Sequence, residues 1–294
     1  MDAVLVLLTG VAALGFATPL AIHAGFRAPR RPEQGSPADW GLSYREVTIP
    51  TEQGRQLFGW YMPAPDLEPA PAVVLLHGWG GNAEALLPLA PPLHAAGYHL
   101  LAFDARNHGR SEGAGHSSMV RFAADLENAL EWLAHRPEID DGRMALIGHS
   151  VGAAAGLLVA SRSERLAAVV SLACFAHPGE LMNTILGRKR VPQRLRRWVL
   201  RYIEWVIGAS FRDIAPQQTI RRVDNPVLLV HGEHDATVPV ADAEILYRNR
   251  SGDHVRLLRV PGAGHQSVEH LPEWAGTVGE FLTASLGGES HRNV

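Results

Sequence analysis

The chain has 294 residues, of which 46% are hydrophobic and 19% are charged, a composition typical of a folded globular protein and too apolar for a disordered one. Its 27 basic and 30 acidic residues give a net charge of −3, so the overall balance does not predict nucleic-acid binding. The single cysteine, Cys174, excludes an intramolecular disulfide and is interpreted as a packed, non-catalytic position. This length is sufficient for one large α/β domain with additional segments.

The first predicted element is an uncharged run of 20 residues at 3–22, which is long enough to cross a bilayer as a helix. Only one charged residue, Asp2, precedes the run, whereas three arginines follow it within residues 27–31. A secretory signal ordinarily carries its basic residues ahead of the apolar stretch, so this order favours a retained single-pass anchor over residues 1–26. The positive-inside rule then places the rest of the chain, including the domain that follows, in the cytoplasm. The alternatives are a cleaved signal with a secreted domain, and a helix packed on the domain.

The remaining sequence predicts a linker, one domain and a tail. Residues 27–43 are rich in proline, glycine and charge and lack apolar periodicity, which is typical of a linker. A domain is predicted over 44–286, followed by a flexible tail at 287–294. Within the domain, strand-like runs alternate with helical ones such as 120–133, and this alternation indicates a mostly parallel sheet flanked by helices. The eight predicted strands are 45–49, 56–62, 72–76, 99–103, 143–147, 167–172, 226–230 and 255–260.

A nucleophilic serine is predicted at Ser150, in the sequence GHSVG at 148–152. The predicted strand 143–147 precedes this sequence and an apolar helix-forming run follows it, and the glycines allow the tight turn that lifts a serine above the sheet edge. The backbone N–H of Val151, at the start of the helix, is expected to point at the developing oxyanion. A second match surrounds Ser111, but it lies in a polar stretch without a following apolar helix, so Ser111 is interpreted as a loop residue.

A base and an acid are predicted downstream of the serine. A hydroxyl is a poor nucleophile at neutral pH, so it needs a base, and the base needs a group that fixes its tautomer. Asp235 lies in the loop after the predicted strand 226–230, and His265 emerges at the carboxyl end of the predicted strand 255–260. The chain order of Ser150, Asp235 and His265 is the order that this type of serine turn requires.

Over about residues 44–286 the chain resembles the α/β-hydrolase superfamily, in particular its lipase-like and serine-aminopeptidase-like branch. Four separated motifs in family order carry the resemblance: HGWGG at 77–81, DARNHGRS at 104–111, the serine turn, and the loops with Asp235 and His265. The resemblance implies an α/β-hydrolase fold with an eight-stranded, mostly parallel sheet.

The resemblance also implies an oxyanion hole and a cap. The backbone N–H of Trp79 is expected to pair with that of Val151 around the oxyanion, and the indole of Trp79 is expected to line the pocket. A helical cap is expected at about 176–223. Its basic residues are Arg188, Lys189, Arg190, Arg194, Arg196, Arg197 and Arg201, and the apolar residues on another helix face are Leu195, Trp198, Val199, Tyr202 and Val206. Such a helix can lie on an anionic membrane or cover the catalytic pocket, and the two interpretations are compatible.

No metal or cofactor is predicted. The 15 histidines invite a metal-site interpretation, above all His231 and His234 beside Asp235. These residues lie at a strand-to-loop junction rather than on a helix, and no third ligand is placed near them. The glycine-rich sequence at 77–81 lacks the Lys-Ser/Thr of a phosphate loop. The other loop histidines, such as His149, are interpreted as groups that satisfy local hydrogen bonds.

These residues predict a serine hydrolase that cleaves a carboxylic ester or thioester of a small-molecule acyl substrate. Ser150 is the expected nucleophile, His265 the general base, and Asp235 the group that orients His265. The predicted anchor and the apolar cap favour a lipophilic substrate. A membrane-bound serine peptidase or amidase of the same fold is the first alternative, because the same site could cleave an amide. A non-catalytic binding protein with this fold is the second, although such proteins commonly lose a triad member.

Overall fold

The computed structural model describes residues 27–65, 69–113, 115–266 and 271–287. Within these residues, eight strands form a single sheet, and each corresponds to one of the predicted strands with ends that differ by at most four residues. The strands are β1 (Arg45–Thr51), β2 (Arg55–Met62), β3 (Ala70–Leu76), β4 (His99–Phe103), β5 (Ile139–His149), β6 (Ala168–Leu172), β7 (Val227–Gly232) and β8 (Val255–Val260).

The sheet is mostly parallel, which confirms the predicted fold class. Its strand order is β1-β2-β4-β3-β5-β6-β7-β8, in which β1 pairs antiparallel with β2 and β2 antiparallel with β4. All the remaining pairs, from β4 across to β8, are parallel. The carboxyl ends of these six strands therefore lie at the same edge of the sheet, where open α/β folds place their sites.

Helices cover both faces of the sheet. The α-helices that the structure describes are α1 (Ala90–Ala95), α2 (Met119–Ala134), α3 (Val151–Ala160), α4 (Pro178–Arg188), α5 (Gln193–Ile207), α6 (Phe211–Ile214), α7 (Pro216–Thr219), α8 (Val240–Arg248) and α9 (Leu271–Leu286). Side chains of β3 alternate between the two faces, so that Val74 and Leu76 join the core that contains α2 and α3. Val73 and Leu75 join the core on the other face, which contains α9.

The helices α4 to α7 lie between β6 and β7, where the cap was expected. The predicted membrane segment at 3–22 lies outside the described residues, as does the predicted tail apart from Gly287. Among the helices in the described ranges, none combines the length and the apolar character that crossing a bilayer requires.

Glycine allows α3 to approach the end of β3 closely. A Cβ atom at Gly152 would lie 2.5 Å from the carbonyl oxygen of Leu76 and 2.6 Å from that of His77. A Cβ atom at Gly148 would lie 2.7 Å from the backbone nitrogen of Ala153. Both obstacles are backbone atoms, which cannot rotate away as a side chain can. The two glycines of the serine turn are therefore required by the packing of a helix against a strand.

We expect Gly152→Ala to destabilise the protein by about 1–3 kcal/mol, because the new methyl group must push α3 away from β3. The matched control is Gly276→Ala in α9, where a Cβ atom would meet nothing within 4 Å. This control should stabilise the protein by about 0.5–1 kcal/mol, because alanine favours a helix interior. Urea denaturation measures both free energies of unfolding. Equal effects of the two substitutions would contradict the packing argument.

Candidate active site

Ser150 occupies the junction between β5, which ends at His149, and α3, which begins at Val151. Its backbone has φ 53° and ψ −112°, a conformation that non-glycine residues rarely adopt and that costs about 1–3 kcal/mol. The Ser150 amide donates to the carbonyl oxygen of Leu172 at 2.8 Å, and its carbonyl oxygen accepts from the amide of Ala154 at 3.0 Å. Hydrogen bonds on both sides therefore hold the strained turn in place.

His265 and Asp235 form a hydrogen-bonded pair. The Nδ1 atom of His265 lies 2.7 Å from Oδ2 of Asp235, and the Asp235 side chain is completely buried. The other carboxylate oxygen accepts from the amides of Thr237 and Val238, both at 2.8 Å. Burial would raise the pKa of Asp235, but hydrogen bonds from the His231 and His265 rings and the Val238 amide outweigh it and hold this pKa well below its ordinary value. The carboxylate stays ionised and fixes the proton of His265 on Nδ1.

Two further histidines hold this pair. Burial lowers the pKa of His149 to about 4, so its ring is neutral at pH 7 and carries one proton. That proton lies on Nε2, because Nε2 donates to the backbone carbonyl oxygen of His265 at 2.8 Å. The Nε2 atom of His231 donates to the carbonyl oxygen of Val238 at 2.9 Å and lies 3.4 Å from Oδ2 of Asp235. The sequence analysis assigned neither histidine to the site. The hydrogen bond of His149 reaches a carbonyl group 116 residues away, which leaves no sequence pattern.

Backbone contacts join the loops that carry Asp235 and His265. The amide of Glu233 donates to the carbonyl oxygen of Val260 at 3.0 Å, and the amide of His234 donates to that of Ala263 at 2.9 Å. Gly232 permits this approach, because a Cβ atom there would collide with the Ala263 carbonyl oxygen. The distance from Asp235 to His265 is therefore set by backbone hydrogen bonds as well as by the pair itself.

The predicted oxyanion residues lie next to the serine. The amide of Val151 directly follows Ser150, and the first amides of a helix have no acceptor within that helix. Trp79 lies in a turn that is closed by a 3.0 Å hydrogen bond from the Gly81 amide to the Gly78 carbonyl oxygen. A Cβ atom at Gly78 would lie 3.3 Å from Cβ of Ser150, so the turn contacts Ser150. All five predicted site residues thus lie at the same edge of the sheet.

The side chains of His77 and Asp104 form hydrogen bonds with the backbone at the two ends of the turn at 78–81. The Nε2 atom of His77 accepts from the amide of Ala105 at 3.0 Å, and its Nδ1 atom donates to the carbonyl oxygen of Gly78 at 2.7 Å. The buried carboxylate of Asp104 accepts from the amides of Ala83 and Arg110, both at 2.7 Å. Burial and the neighbouring carboxyl group of Glu33 raise the pKa of Asp104. These groups connect the turn after β3 to the loop after β4.

Ser111, the serine of the second GxSxG match, lies in that loop and is fully buried. Its hydroxyl donates to the carbonyl oxygen of Asp104 at 2.6 Å and accepts from the amide of Phe58 at 2.7 Å. No α-helix begins directly after it, since α2 starts at Met119. The side chain of Ser111 therefore links β2 to the loop, in agreement with its interpretation as a loop residue.

The segment predicted as a linker contacts the turn at 78–81. A Cβ atom at Gly80 would lie 2.9 Å from Cγ of Pro29, and the side-chain amide of Asn82 donates to the carbonyl oxygen of Arg31 at 3.2 Å. Arg30 donates from Nη2 to the carbonyl oxygen of Ser111 at 2.7 Å. The sequence analysis missed these contacts, because proline-rich segments without apolar periodicity give no signal of where they pack.

The structure shows no metal-binding constellation among the residues it describes, where no three His, Cys, Asp or Glu side chains cluster as ligands. His231 lies 3.4 Å from Oδ2 of Asp235, but this oxygen atom accepts the hydrogen bond from His265.

Comparisons with known proteins agree with the fold. A sequence profile described as the alpha/beta hydrolase fold matches residues 71–214. The uncharacterized protein Rv2307c of Mycobacterium tuberculosis is 32% identical over 77% of this chain and 74% of its own length. Among solved structures, the esterase Pf2001 of Pyrococcus furiosus superposes with a TM-score of 0.72, at 25% identity over 88% of this chain and 100% of its own. Est1E of Butyrivibrio proteoclasticus superposes with a TM-score of 0.65, at 20% identity over 83% and 99%.

We expect His149→Phe to lower kcat about tenfold with little change in KM, because the ring is kept while the hydrogen bond to the His265 carbonyl oxygen is lost. The matched control is His94→Phe. The Nε2 atom of His94 also donates to a backbone carbonyl oxygen, that of Pro63 at 2.8 Å, but His94 lies in α1, away from the site. Steady-state kinetics on a small ester measure both constants. The same loss of kcat in both variants would assign the effect to general destabilisation.

Proposed function

Because this chain belongs to the α/β-hydrolase family, we propose that it is a serine hydrolase that cleaves carboxylic esters or thioesters through an acyl-enzyme. The observation that carries the proposal is the 2.7 Å hydrogen bond between His265 and the buried Asp235, at the same sheet edge as the strained turn of Ser150. The esterase Pf2001, similar over nearly the whole domain, supports this reaction class.

In the proposed acylation, the Ser150 hydroxyl attacks the substrate carbonyl carbon and its proton passes to Nε2 of His265. The negative charge that develops on the carbonyl oxygen accepts hydrogen bonds from the amides of Val151 and Trp79. His265 then returns the proton to the departing alcohol or thiol. The ionised Asp235 stabilises the imidazolium ring while it carries two protons.

Deacylation repeats these steps with water in place of the hydroxyl. His265 removes a proton from water, which attacks the acyl carbon, and the ring then protonates Ser150 as the free acid leaves. The same groups could hydrolyse an amide, so a peptidase or amidase is the alternative within this fold. A non-catalytic binding protein is disfavoured, because Asp235 and His265 keep a hydrogen bond that binding alone does not require.

We expect a fluorophosphonate probe to label the wild-type protein covalently and to leave Ser150→Ala unlabelled, because the probe reacts with an activated serine hydroxyl. Ser111→Ala is the control at the second GxSxG sequence and should still be labelled. In-gel fluorescence and peptide mass spectrometry identify the modified residue. Labelling of Ser111, or retained labelling of Ser150→Ala, would refute the proposed nucleophile.

We expect His265→Ala and Asp235→Asn each to lower turnover roughly 10³-fold or more, because the three residues act as a unit. Asp253→Asn, which changes a fully exposed carboxylate, is the control and should leave turnover unchanged. Turnover is measured on an ester, a thioester and an amide that share one acyl group. Retained activity of His265→Ala would refute the triad, and faster turnover of the amide would favour the peptidase alternative.

A further inference from the structure

The cap helix α5 presents an apolar strip to solvent. Its members recur every three or four residues and therefore share one helix face: Leu195, Trp198, Tyr202 and Trp205. Trp205 is 77% exposed, and Trp198 and Leu195 are 45% and 43% exposed. Val199 and Ile203, on the neighbouring face, are buried against the rest of the cap. We call these four residues the α5 strip, in which Tyr202 is half-buried between the exposed residues, and it is distinct from the apolar face that holds the helix in place.

A row of arginines adjoins the α5 strip. Arg194, Arg197 and Arg201 recur at the same helical spacing, and all three are exposed. Three more exposed cations lie where α4 ends, at 188–190. Within the described residues, no carboxylate forms an ion pair with any of these six cations. Because the whole chain carries a net charge of −3, this basic surface is a local feature of the cap.

The combination of aromatic and cationic rows identifies the class of partner. Helices with Trp, Tyr and Leu on one face and arginine beside it lie in the interface of an anionic bilayer, where the apolar side chains enter the acyl boundary and the guanidinium groups meet phosphates. A single-stranded nucleic acid would stack its bases on exposed rings, but Trp198 and Tyr202 already stack on each other at 5.7 Å and 9°. A two-fold contact with a second copy would bring like charges together.

We propose that the α5 strip and its arginine row form a docking surface for an anionic lipid bilayer. Arg188, at the end of α4, donates from Nη1 to the carbonyl oxygen of Ala236 at 3.2 Å, the residue that follows Asp235. The cap is thus attached directly to the loop of the acid. A bilayer bound at α5 would lie beside the catalytic edge. The proposal concerns binding and does not rest on the reaction proposed for Ser150.

The test uses the full-length chain with an environment-sensitive fluorophore on one introduced thiol. The reporter variant is Trp205→Cys, and the control is Asp253→Cys, on a fully exposed side chain in the loop before β8, at the opposite edge of the sheet. The native Cys174 is buried, so the introduced thiol takes the label. Vesicles contain phosphatidylcholine alone or a mixture with phosphatidylglycerol. Trp198→Cys is a second reporter, and circular dichroism with a thermal melt confirms that each variant is folded.

We expect the fluorescence of the label at 205 to rise and shift to shorter wavelength with the anionic vesicles only, and the label at 253 to remain unchanged. Replacing Arg194, Arg197 and Arg201 with Gln should raise the lipid concentration at half-response roughly 100-fold, since each cation near a lipid surface contributes about 1 kcal/mol. High salt should also raise the lipid concentration at half-response, because it screens the attraction between the arginines and the anionic lipids. If the chain binds vesicles while both labels stay in water, another segment holds it there and the proposal is wrong. A response to RNA or to self-association, without one to vesicles, would also overturn it.

Discussion

The close contact between the start of α3 and the end of β3 is the constraint on which the site depends. Only glycine at 152 lets the helix pass within van der Waals distance of the carbonyl oxygens of Leu76 and His77. The helix start then lies close to the turn at 78–81, where a Cβ atom at Gly78 would lie 3.3 Å from Cβ of Ser150. The positive φ of Ser150 follows from the same packing, because the chain must reverse from strand to helix within one residue. Strain at Ser150 is thus balanced by the packing of a completely buried helix.

The positions of Asp235 and His265 depend on hydrogen bonds to backbone atoms. A buried carboxylate is costly unless its oxygens are satisfied, and both oxygens of Asp235 have donors. His149 contacts the backbone of His265 rather than its ring nitrogens, so it limits the position of His265 without competing for the protons on its ring. His265 is therefore held from two directions, through its ring by Asp235 and through its carbonyl group by His149. A small shift of β5 would change both serine and histidine positions together.

The sequence was sufficient to predict the elements and the residues whose roles depend on local context. Strand runs, their alternation with helices, and a serine between two glycines are local patterns, and the eight strands of the sheet agree with them. Contacts between segments distant in the chain could not be predicted in this way. The packing of Pro29 on Gly80 joins a segment without periodicity to a turn 51 residues away, and nothing in either sequence encodes the partner. The same holds for His149, whose acceptor is 116 residues further along the chain.

The cap shows why one amphipathic pattern supported two interpretations at once. The five apolar residues assigned to one face of the predicted helix divide in the structure, because Val199 is buried whereas Trp198 remains exposed. At 100° per residue, an apolar arc that spans both positions is wider than the contact that a single neighbour can bury. The inner part of the arc packs on the cap, and the outer part is left beside the arginines. A helix that only covered the catalytic pocket would need the inner part alone. The outer tryptophans, which packing does not explain, are what a surface that meets a lipid phase requires.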